Sequence, residues 1–367
     1  MCLPRIVKIV TCRPTRDLMK ENSEPLPDLS DDEFMQIFHL KRNIVKELIE
    51  ELRPLIPNPR RSDGVPLTAK ILITLAFYAS GSIQTLVSKS PVHNVSQATV
   101  SRAVKQVTEA FDQIYHKYVK WPTQRSERLL IKAKFCNKFK IPGVLGCIDG
   151  THVAILKPSY NSQLYNNVKG SQSINVMIVC DSDLNILCTN SSSPGSTHDS
   201  IVWENNILCK ELNQLHDEGE QGFLLGDCAY PLRRTMMTPI LNTREGTPEH
   251  AYYLLHAAAH STIERCISDL KSRFRCLLLA RSLHYSPAVA SKIVKACCIL
   301  HNIANEANSP VPEMTLEEIR TEKLRTPQDV CLNELEMALE GNGSPSRALL
   351  EGEEFRQALI NRLWMEP

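Results

Sequence analysis

Acidic residues end two apolar, strand-like runs of this 367-residue chain. Asp149 follows residues 143–148, and Asp227 follows residues 222–226. Carboxylate oxygens are the ligands that Mg²⁺ and Mn²⁺ prefer, and a pair of such cations can activate water for phosphodiester hydrolysis. If the two runs are neighbouring parallel strands, the carboxylates meet at one edge and could share metal ions. The pair Asp149-Gly150 can equally be a plain turn.

Two further carboxylates could join this pair. Glu264 lies in a predicted helix at 251–276, where the nearby Arg265 and Lys271 also suit an ordinary solvated helix face. Asp199 follows a predicted strand and stands where a helix should begin. It could therefore be a helix N-cap, a first-turn acid or a metal ligand.

Apolar periodicity predicts the elements that would position these acids. Strands are expected at 144–156, 173–181, 184–190 and 222–226, with a hairpin turn at 181–183. Helices are expected from about residue 198, at 251–276 and at 287–305, while 231–249 is expected to be irregular. Three strands, a helix, a fourth strand and then helices is the order of a ribonuclease H-like core. In that topology the first and fourth strands are parallel neighbours, so the fold class is predicted to be α/β.

The sequence before this core is predicted to be all-helical. Residues 1–29 are expected to be irregular, and Ser30 with Glu33 forms a capping box that starts helical sequence running to Pro54. A second helix is predicted at 67–80, stopped by Gly81. We therefore expect a helical domain at 30–140 and an α/β domain at 141–308.

A helix-turn-helix-like segment is predicted within the helical domain. Residues 83–89 form a short amphipathic stretch, 91–95 read as a turn, and Ser96 caps a longer helix. Near the start of that helix, Arg102 and Lys105 lie off its apolar stripe, as DNA-contacting residues of a recognition helix do. A plain bundle helix with a solvated face is the alternative.

Charge is distributed unevenly although the net charge is only +1. Residues 61–170 hold 15 Lys and Arg against 5 Asp and Glu, and residues 313–366 hold 12 acids against 6 bases. A basic region is compatible with nucleic-acid binding, although solvated faces also carry such runs. The acidic tail, 309–367, is predicted to be partly flexible.

Composition excludes several other classes of protein. Apolar residues make up 43% of the chain, but no apolar run is long enough to span a bilayer, so no membrane association is expected. None of the 13 cysteines forms a Cys-x-x-Cys pair, and most lie in apolar segments, as buried thiols do. With no export signal in the sequence, a reducing intracellular compartment is expected.

Several ordered motifs carry a family resemblance. They are IDGTHV at 148–153, PGSTHD at 194–199, GDCAY at 226–230, and IER at 263–265 followed by LKSRFR at 270–275. Together they resemble the PIF/Harbinger transposases, in particular the Harbinger transposase-derived nucleases of animals, over roughly residues 35–305.

The resemblance implies a DDE-type nuclease core. Asp149, Asp227 and Glu264 would be the catalytic, metal-binding triad, and the 36 residues between the last two are typical of the superfamily. Asp199 matches the acid of the Gly-Ser-x-His-Asp motif and would be a fourth ligand. Two departures concern packing rather than ligands: Cys266 stands where many relatives have an aromatic residue, and His260 where many have Arg.

Other residues could support the same chemistry. His152 and His198 could contact phosphate or orient a carboxylate, although satisfied structural histidines are the simpler interpretation. Lys271, Arg273 and Arg275 would face DNA phosphates if their helix borders the cleft.

Two functions follow from these expectations. The first is a divalent-metal-dependent DNA endonuclease of Harbinger transposase origin, favoured because all three mutually repelling acids are present. The second is a catalytically silent, domesticated DNA-binding or adaptor protein that retains the fold. A helix-turn-helix regulator with a ligand-binding α/β domain would need a pocket signature that the sequence does not show. The resemblance also implies a Myb/SANT-like DNA-binding partner that aids nuclear entry, hence a location in nucleus and cytoplasm.

Overall fold

A computed structural model describes residues 26–57, 64–81, 95–168, 170–323 and 347–365. The helices of these ranges are α1 (Asp31–Phe38), α2 (Arg42–Leu52), α3 (Leu67–Ser80), α4 (Gln97–Tyr118), α5 (Arg125–Phe139), α6 (Asp199–Glu204), α7 (Ile207–Asp217), α8 (Pro248–Arg273), α9 (Pro287–Glu306), α10 (Leu316–Lys323) and α11 (Arg347–Met365). The strands are β1 (Val144–Ala154), β2 (Ser173–Cys180), β3 (Ile186–Pro194), β4 (Phe223–Leu225) and β5 (Met236–Met237).

The strands form one mixed sheet in the order β3-β2-β1-β4-β5. β1, β2 and β3 are antiparallel neighbours, whereas β1 pairs with β4, and β4 with β5, in parallel. The expected parallel pairing of the first and fourth strands is thereby confirmed. β5 corrects the expectation that 231–249 is irregular. Two residues are too few to show the two-residue periodicity of a strand, so the sequence gives no signal for it.

Helices cover both faces of the sheet. On one face Cys147 and Val153 of β1 share a core with Ile263 of α8. On the other face Ile148 packs in a smaller core with Trp203 of α6. Because successive side chains of a strand point to opposite faces, odd-numbered residues from Cys147 to Val153 face α8 and even-numbered residues face α6.

The N-terminal helices follow the prediction with one correction. The capping box of Ser30 and Glu33 is present, and α3 ends at Gly81 as predicted. The helix expected to run to Pro54 instead breaks at His39, which adopts a left-handed conformation with φ of 55°. Its ring Nδ1 lies 2.7 Å from the Arg273 carbonyl oxygen, a tertiary contact that helical periodicity cannot reveal.

The predicted helix-turn-helix-like segment is described only in part. α4 begins as expected, because the Thr99 backbone N–H donates to the Ser96 hydroxyl at 3.2 Å. Residues 83–89 and most of the predicted turn lie outside the described residues. The helix-turn-helix interpretation therefore stays a prediction.

One hydrophobic core joins the N-terminal helices, the sheet and the end of the chain. It extends from Phe34 of α1 through Val144 of β1 to Leu359 and Ile360 of α11. The packing is thus continuous across residue 140, where we placed a domain boundary. α11 lies in the tail that we predicted to be partly flexible, and two of its apolar residues are buried in this core.

The cysteines mostly behave as small apolar residues. Nine of those in the described ranges are free thiols, and six of the nine are buried, in agreement with the sequence interpretation. Cys228, beside Asp227, is in a disulfide bond and therefore differs from the free thiols that the sequence led us to expect. Within the described ranges, no helix is both long and apolar enough to cross a bilayer.

Candidate active site

The register of β1 and β4 brings Asp149 and Asp227 side by side. Cys147 pairs with Leu225, and each acid follows its strand's paired residue by two positions. Neighbouring strands lie about 4.8 Å apart, so Asp149, within β1, and Asp227, two residues beyond the end of β4, are adjacent. The two carboxylates are half-buried at this edge.

The third acid comes from the helix that packs on the same side. The Cys147 thiol donates to the Ala259 carbonyl oxygen of α8 at 3.2 Å, which fixes the helix against β1. Asp149 faces the same way as Cys147, two residues earlier. Glu264 lies five residues beyond Ala259 on α8, with its side chain 61% exposed.

His260 stands at the centre of the three acids. Its Nε2 lies 3.3 Å from the Ile148 carbonyl oxygen, and its Nδ1 lies 3.8 Å from Glu264 Oε1. Burial alone would lower the pKa of His260, but the interactions with Glu264, Asp149 and Asp227 outweigh it and raise that pKa. All three predicted catalytic acids thus act electrostatically on one buried imidazole.

The interaction between His260 and Glu264 also changes the pKa of the glutamate. The His260 ring, whose Nδ1 lies 3.8 Å from Glu264 Oε1, lowers the pKa of the Glu264 carboxyl against the opposing effect of partial burial. The acid is therefore held in its anionic form, the form that a hard cation needs.

A second histidine lies one turn earlier on α8. The rings of His256 and His260 are stacked, with centroids 5.8 Å apart and planes at 13°. His256 Nε2 lies 3.1 Å from the Met237 carbonyl oxygen of β5. Burial lowers the pKa of His256 to about 3, so this ring is neutral. The two histidines therefore tie α8 to the carbonyl groups of β5 and β1.

A backbone N–H close by in the chain donates to each of the two acids Asp149 and Asp227. The Asp149 Oδ1 accepts from the Gly150 N–H at 2.7 Å, and the Asp227 Oδ1 accepts from the Ala229 N–H at 3.1 Å. Gly226 packs tightly, because a Cβ there would lie 2.9 Å from the Tyr230 ring and 3.0 Å from the Met236 sulfur, and these side chains would have to move. The GDCAY motif is thus explained in part by packing.

Asp199 lies on the opposite side of β1 from Asp149. A Cβ on Gly150 would be 2.5 Å from Asp199 Oδ1, so this carboxylate fills the space that a side chain at position 150 would occupy. The buried Asn175 amide donates to the same oxygen at 2.5 Å. Asp199 is the first residue of α6, after the N-cap His198. The structure matches the first-turn interpretation, and the role of Asp199 as a fourth metal ligand stays a prediction.

The two candidate supporting histidines have local structural roles. His152 Nδ1 lies 2.9 Å from the Ser173 hydroxyl. His198 Nδ1 accepts from the Ser200 N–H at 3.2 Å and thereby caps α6. The structure thus agrees with the simpler interpretation, in which both rings are structural histidines with satisfied hydrogen bonds.

The basic residues at the end of α8 and just after it are covered by another segment of the chain, and their contact with DNA phosphates stays a prediction. Lys271 and Arg273 are only 3% and 2% exposed. The Lys271 ammonium contacts Glu322, and the Arg273 guanidinium donates to the carbonyl oxygens of residues 309 and 310. Arg275 pairs with Glu318 at 3.9 Å. The C-terminal segment covers them, and its sequence gave no sign of this contact.

The two basic residues of α4 are placed as the sequence suggested. Arg102 and Lys105 are exposed, while Val100, Ala103 and Val104 on the other side of the helix are buried. The Arg102 Nε donates to the Ala98 carbonyl oxygen at 3.3 Å. These side chains are therefore available at the surface, and DNA contact by them stays a prediction.

The donor chemistry of the site fits a hard divalent cation. Asp149, Asp227 and Glu264 are three carboxylates whose interactions with His260 raise the pKa of its ring. Within the described ranges, however, no three His, Cys, Asp or Glu side chains are grouped closely enough to hold a metal ion. Because the Glu264 side chain is 61% exposed, it has room to change rotamer toward the strand-end acids.

Sequence reasoning missed the role of His260. We treated it as a departure from a family pattern, whereas it connects β1 to α8 beneath the acids. The spacing of His260 and Glu264 by four residues, which places both on one helix face, was the available signal.

Comparison with known proteins agrees with this arrangement. The family model described as "DDE superfamily endonuclease" matches residues 148–302. "Putative nuclease HARBI1" of Bos taurus is 36% identical over 77% of this chain and 80% of its own length, and that of Homo sapiens is 35% identical over the same shares. "Protein ALP1-like" of Arabidopsis thaliana is 24% identical over 66% of this chain and 62% of its own length.

No solved structure matches the chain. The identity to the HARBI1 proteins and their coverage are nevertheless sufficient to assign the family. The chain belongs to the Harbinger transposase-derived family of DDE superfamily endonucleases.

Proposed function

We propose that the protein is a divalent-metal-dependent DNA endonuclease that hydrolyses phosphodiester bonds on a ribonuclease H-like core. The observation that supports this best is the matched position of Asp149 and Asp227 on parallel neighbouring strands, with the helix of Glu264 packed on the same face. The relatives named as nucleases agree with this proposal.

The reaction requires a water oxygen to bond to phosphorus while one bridging P–O bond breaks and the leaving oxygen gains a proton. Bound Mg²⁺ or Mn²⁺ would supply Lewis acidity and a lowered pKa of water. Asp149, Asp227 and Glu264 would hold the cations. His260 is a positioning residue, since its contact with the Ile148 carbonyl oxygen ties α8 to β1 and its ring also pairs with Glu264 on the same helix.

A silent, domesticated DNA-binding or adaptor protein is the second candidate. It is favoured by the absence of a grouped set of three potential metal ligands in the described ranges. Under this alternative, the chain would keep the fold and bind DNA or another protein without cutting.

Nicking of supercoiled plasmid DNA in Mg²⁺ or Mn²⁺ separates the two. We expect Asp149→Asn, Asp227→Asn and Glu264→Gln each to lower the rate by about 100-fold or more, since changes merely next to a metal ligand cost 10- to 100-fold. Asp217→Asn is the matched control, because Asp217 is a surface acid paired with Arg234. Equal cutting by the triad variants and wild type would refute the site. Absence of cutting by wild type, with a DNA-binding partner present, would favour the second candidate.

We further propose a Myb/SANT-like DNA-binding partner and a distribution between nucleus and cytoplasm, as the family resemblance implies. Co-purification with such a protein, and nuclear accumulation of a tagged chain when the two are co-expressed, test both statements. A tagged chain whose distribution is the same with and without the partner would contradict both statements.

A further inference from the structure

An acidic segment lies over the end of α8. Residues 309–323, which follow α9 and include α10, contain four Glu against Arg320 and Lys323. We call these residues the acidic segment. It contacts Lys271 and Arg273 of α8 and Arg275 of the turn that follows. These are the three bases that the sequence predicted to bind DNA.

Each of the three bases is occupied by this segment. The Lys271 Nζ lies 2.6 Å from Glu322 Oε2. The Arg273 Nη1 and Nη2 donate to the carbonyl oxygens of residues 310 and 309 at 3.0 and 2.8 Å. The Arg275 Nη2 donates to the Glu313 carbonyl oxygen at 2.8 Å, and its Nε lies 3.9 Å from Glu318 Oε1.

Polar contacts rather than apolar burial hold the acidic segment in place. Of its residues whose exposure is described (309–322), only Ser309 and Glu318 are buried. Leu316 of α10 is 75% exposed, and no side chain of 309–322 belongs to the described hydrophobic cores. A phosphate oxygen can replace a carboxylate or carbonyl oxygen as the acceptor for Lys or Arg, whereas a buried apolar face has no such substitute. Another polyanion could therefore replace the segment without opening the core.

The covered bases adjoin the candidate active site. Lys271 follows Glu264 by seven residues, about 10 Å along the helix. Its Nζ also donates to the His152 carbonyl oxygen at 3.0 Å, three residues beyond Asp149 on β1. A nucleic acid strand that crosses the three acids would therefore bring neighbouring phosphates toward these bases.

We propose that the acidic segment competes with DNA for the basic end of α8. The carboxylates of Glu318 and Glu322 stand where DNA phosphates would bind Arg275 and Lys271, and duplex binding displaces the segment. The inference rests on the proposed function in one respect: it takes DNA as the ligand of this surface.

The first test removes charge from the acidic segment but keeps the hydrogen bonds that its side chains accept from backbone N–H groups. Glutamine at position 318 can still accept from the Thr315 N–H, which is part of the helix cap, and glutamine at 322 can accept from the Leu279 N–H. The double variant Glu318→Gln/Glu322→Gln is compared with Glu313→Gln/Glu317→Gln. The control removes the same charge from two exposed side chains of the same segment.

Fluorescence anisotropy with a labelled DNA duplex, without divalent metal, gives the affinities. We expect the test variant to bind about tenfold more tightly than the control, because the carboxylates of Glu318 and Glu322 no longer compete with DNA phosphates for Arg275 and Lys271. Equal affinities of the two variants, or no duplex binding by either, would overturn the inference.

Hydrogen exchange of the wild type gives an independent answer that needs no variant. With saturating duplex, the amides of residues 309–323 should exchange faster, while those of β1 should not. Unchanged protection of the acidic segment in the complex would overturn the proposal. Neither measurement involves cutting, so a protein that binds DNA in this way but never nicks plasmid would refute the proposed function alone.

Discussion

Replacing Gly150 with alanine tests the position of Asp199 on the far side of β1. The new Cβ would lie 2.5 and 2.6 Å from the two carboxylate oxygens of Asp199, too close for either to stay. Asp199 must then turn away from Asn175, whose side-chain amide donates to it and whose residue is only 1% exposed. The substitution therefore costs either steric strain or a hydrogen bond to a charged group.

The two costs are alternatives, because moving the carboxylate relieves the contact. Overpacking costs about 1–3 kcal/mol, and loss of a hydrogen bond to a charged group costs about 1.5–3 kcal/mol. We expect Gly150→Ala to lower the free energy of unfolding by about 2 kcal/mol. In an Asp199→Ala background both oxygens are gone, and alanine is favoured over glycine in a strand by about 0.5–1 kcal/mol. There the same change should be neutral or slightly stabilising.

Urea unfolding of the wild type, both single variants and the double variant measures this coupling, which should be about 2–3 kcal/mol. An equal loss from Gly150→Ala in both backgrounds would refute the placement of Asp199 against β1. The role of Asp199 as a metal ligand on the side of Asp149 would then gain support.

Two further predictions concern stability away from the acids. Glu220→Gln should cost about 2 kcal/mol at pH 7, because it breaks a largely buried pair in which Arg128 donates to Glu220 at 2.9 and 2.6 Å. The hydrogen bond from Arg128 lowers the pKa of Glu220 from its ordinary 4.5 to about 2, so the stabilisation is present above pH 4.5 and disappears as pH falls toward 2. Urea midpoints of wild type and variant should therefore converge as pH falls from 4.5 to about 2, and a constant difference over that range would contradict this. Gly81→Ala should cost more than Gly219→Ala in thermal unfolding: both glycines have positive φ, but only at Gly81 would a Cβ meet backbone, 2.6 Å from the Arg275 carbonyl oxygen. Equal shifts in Tm would contradict that contact.

The strand-end acids could be predicted because their signal is local. Asp149 and Asp227 each end an apolar run, and strand order alone predicted that their strands would be parallel neighbours. α3 was predicted at its observed bounds because Gly81 stops it. In these places the local sequence preference and the tertiary structure agree.

The remaining features depend on contacts between distant residues. The side of β1 on which Asp199 lies is set by its approach to Gly150, which no spacing in the sequence reveals. The covering of Lys271 by Glu322 joins residues 51 positions apart. The composition of residues 309–323 is acidic and only weakly apolar, which is typical of a solvated segment. Composition therefore favoured flexibility, because it does not reveal the basic residues that the segment contacts.

The most direct test of the account is plasmid nicking in Mn²⁺ by Asp149→Asn and Asp199→Asn, compared at a temperature where circular dichroism shows both variants folded. The two substitutions remove the same charge from opposite sides of β1. The account predicts that Asp149→Asn abolishes cutting while Asp199→Asn stays within a few-fold of wild type. Cutting by Asp149→Asn at the wild-type rate would contradict the claim that this strand-end acid, with Asp227 and Glu264, forms the active site.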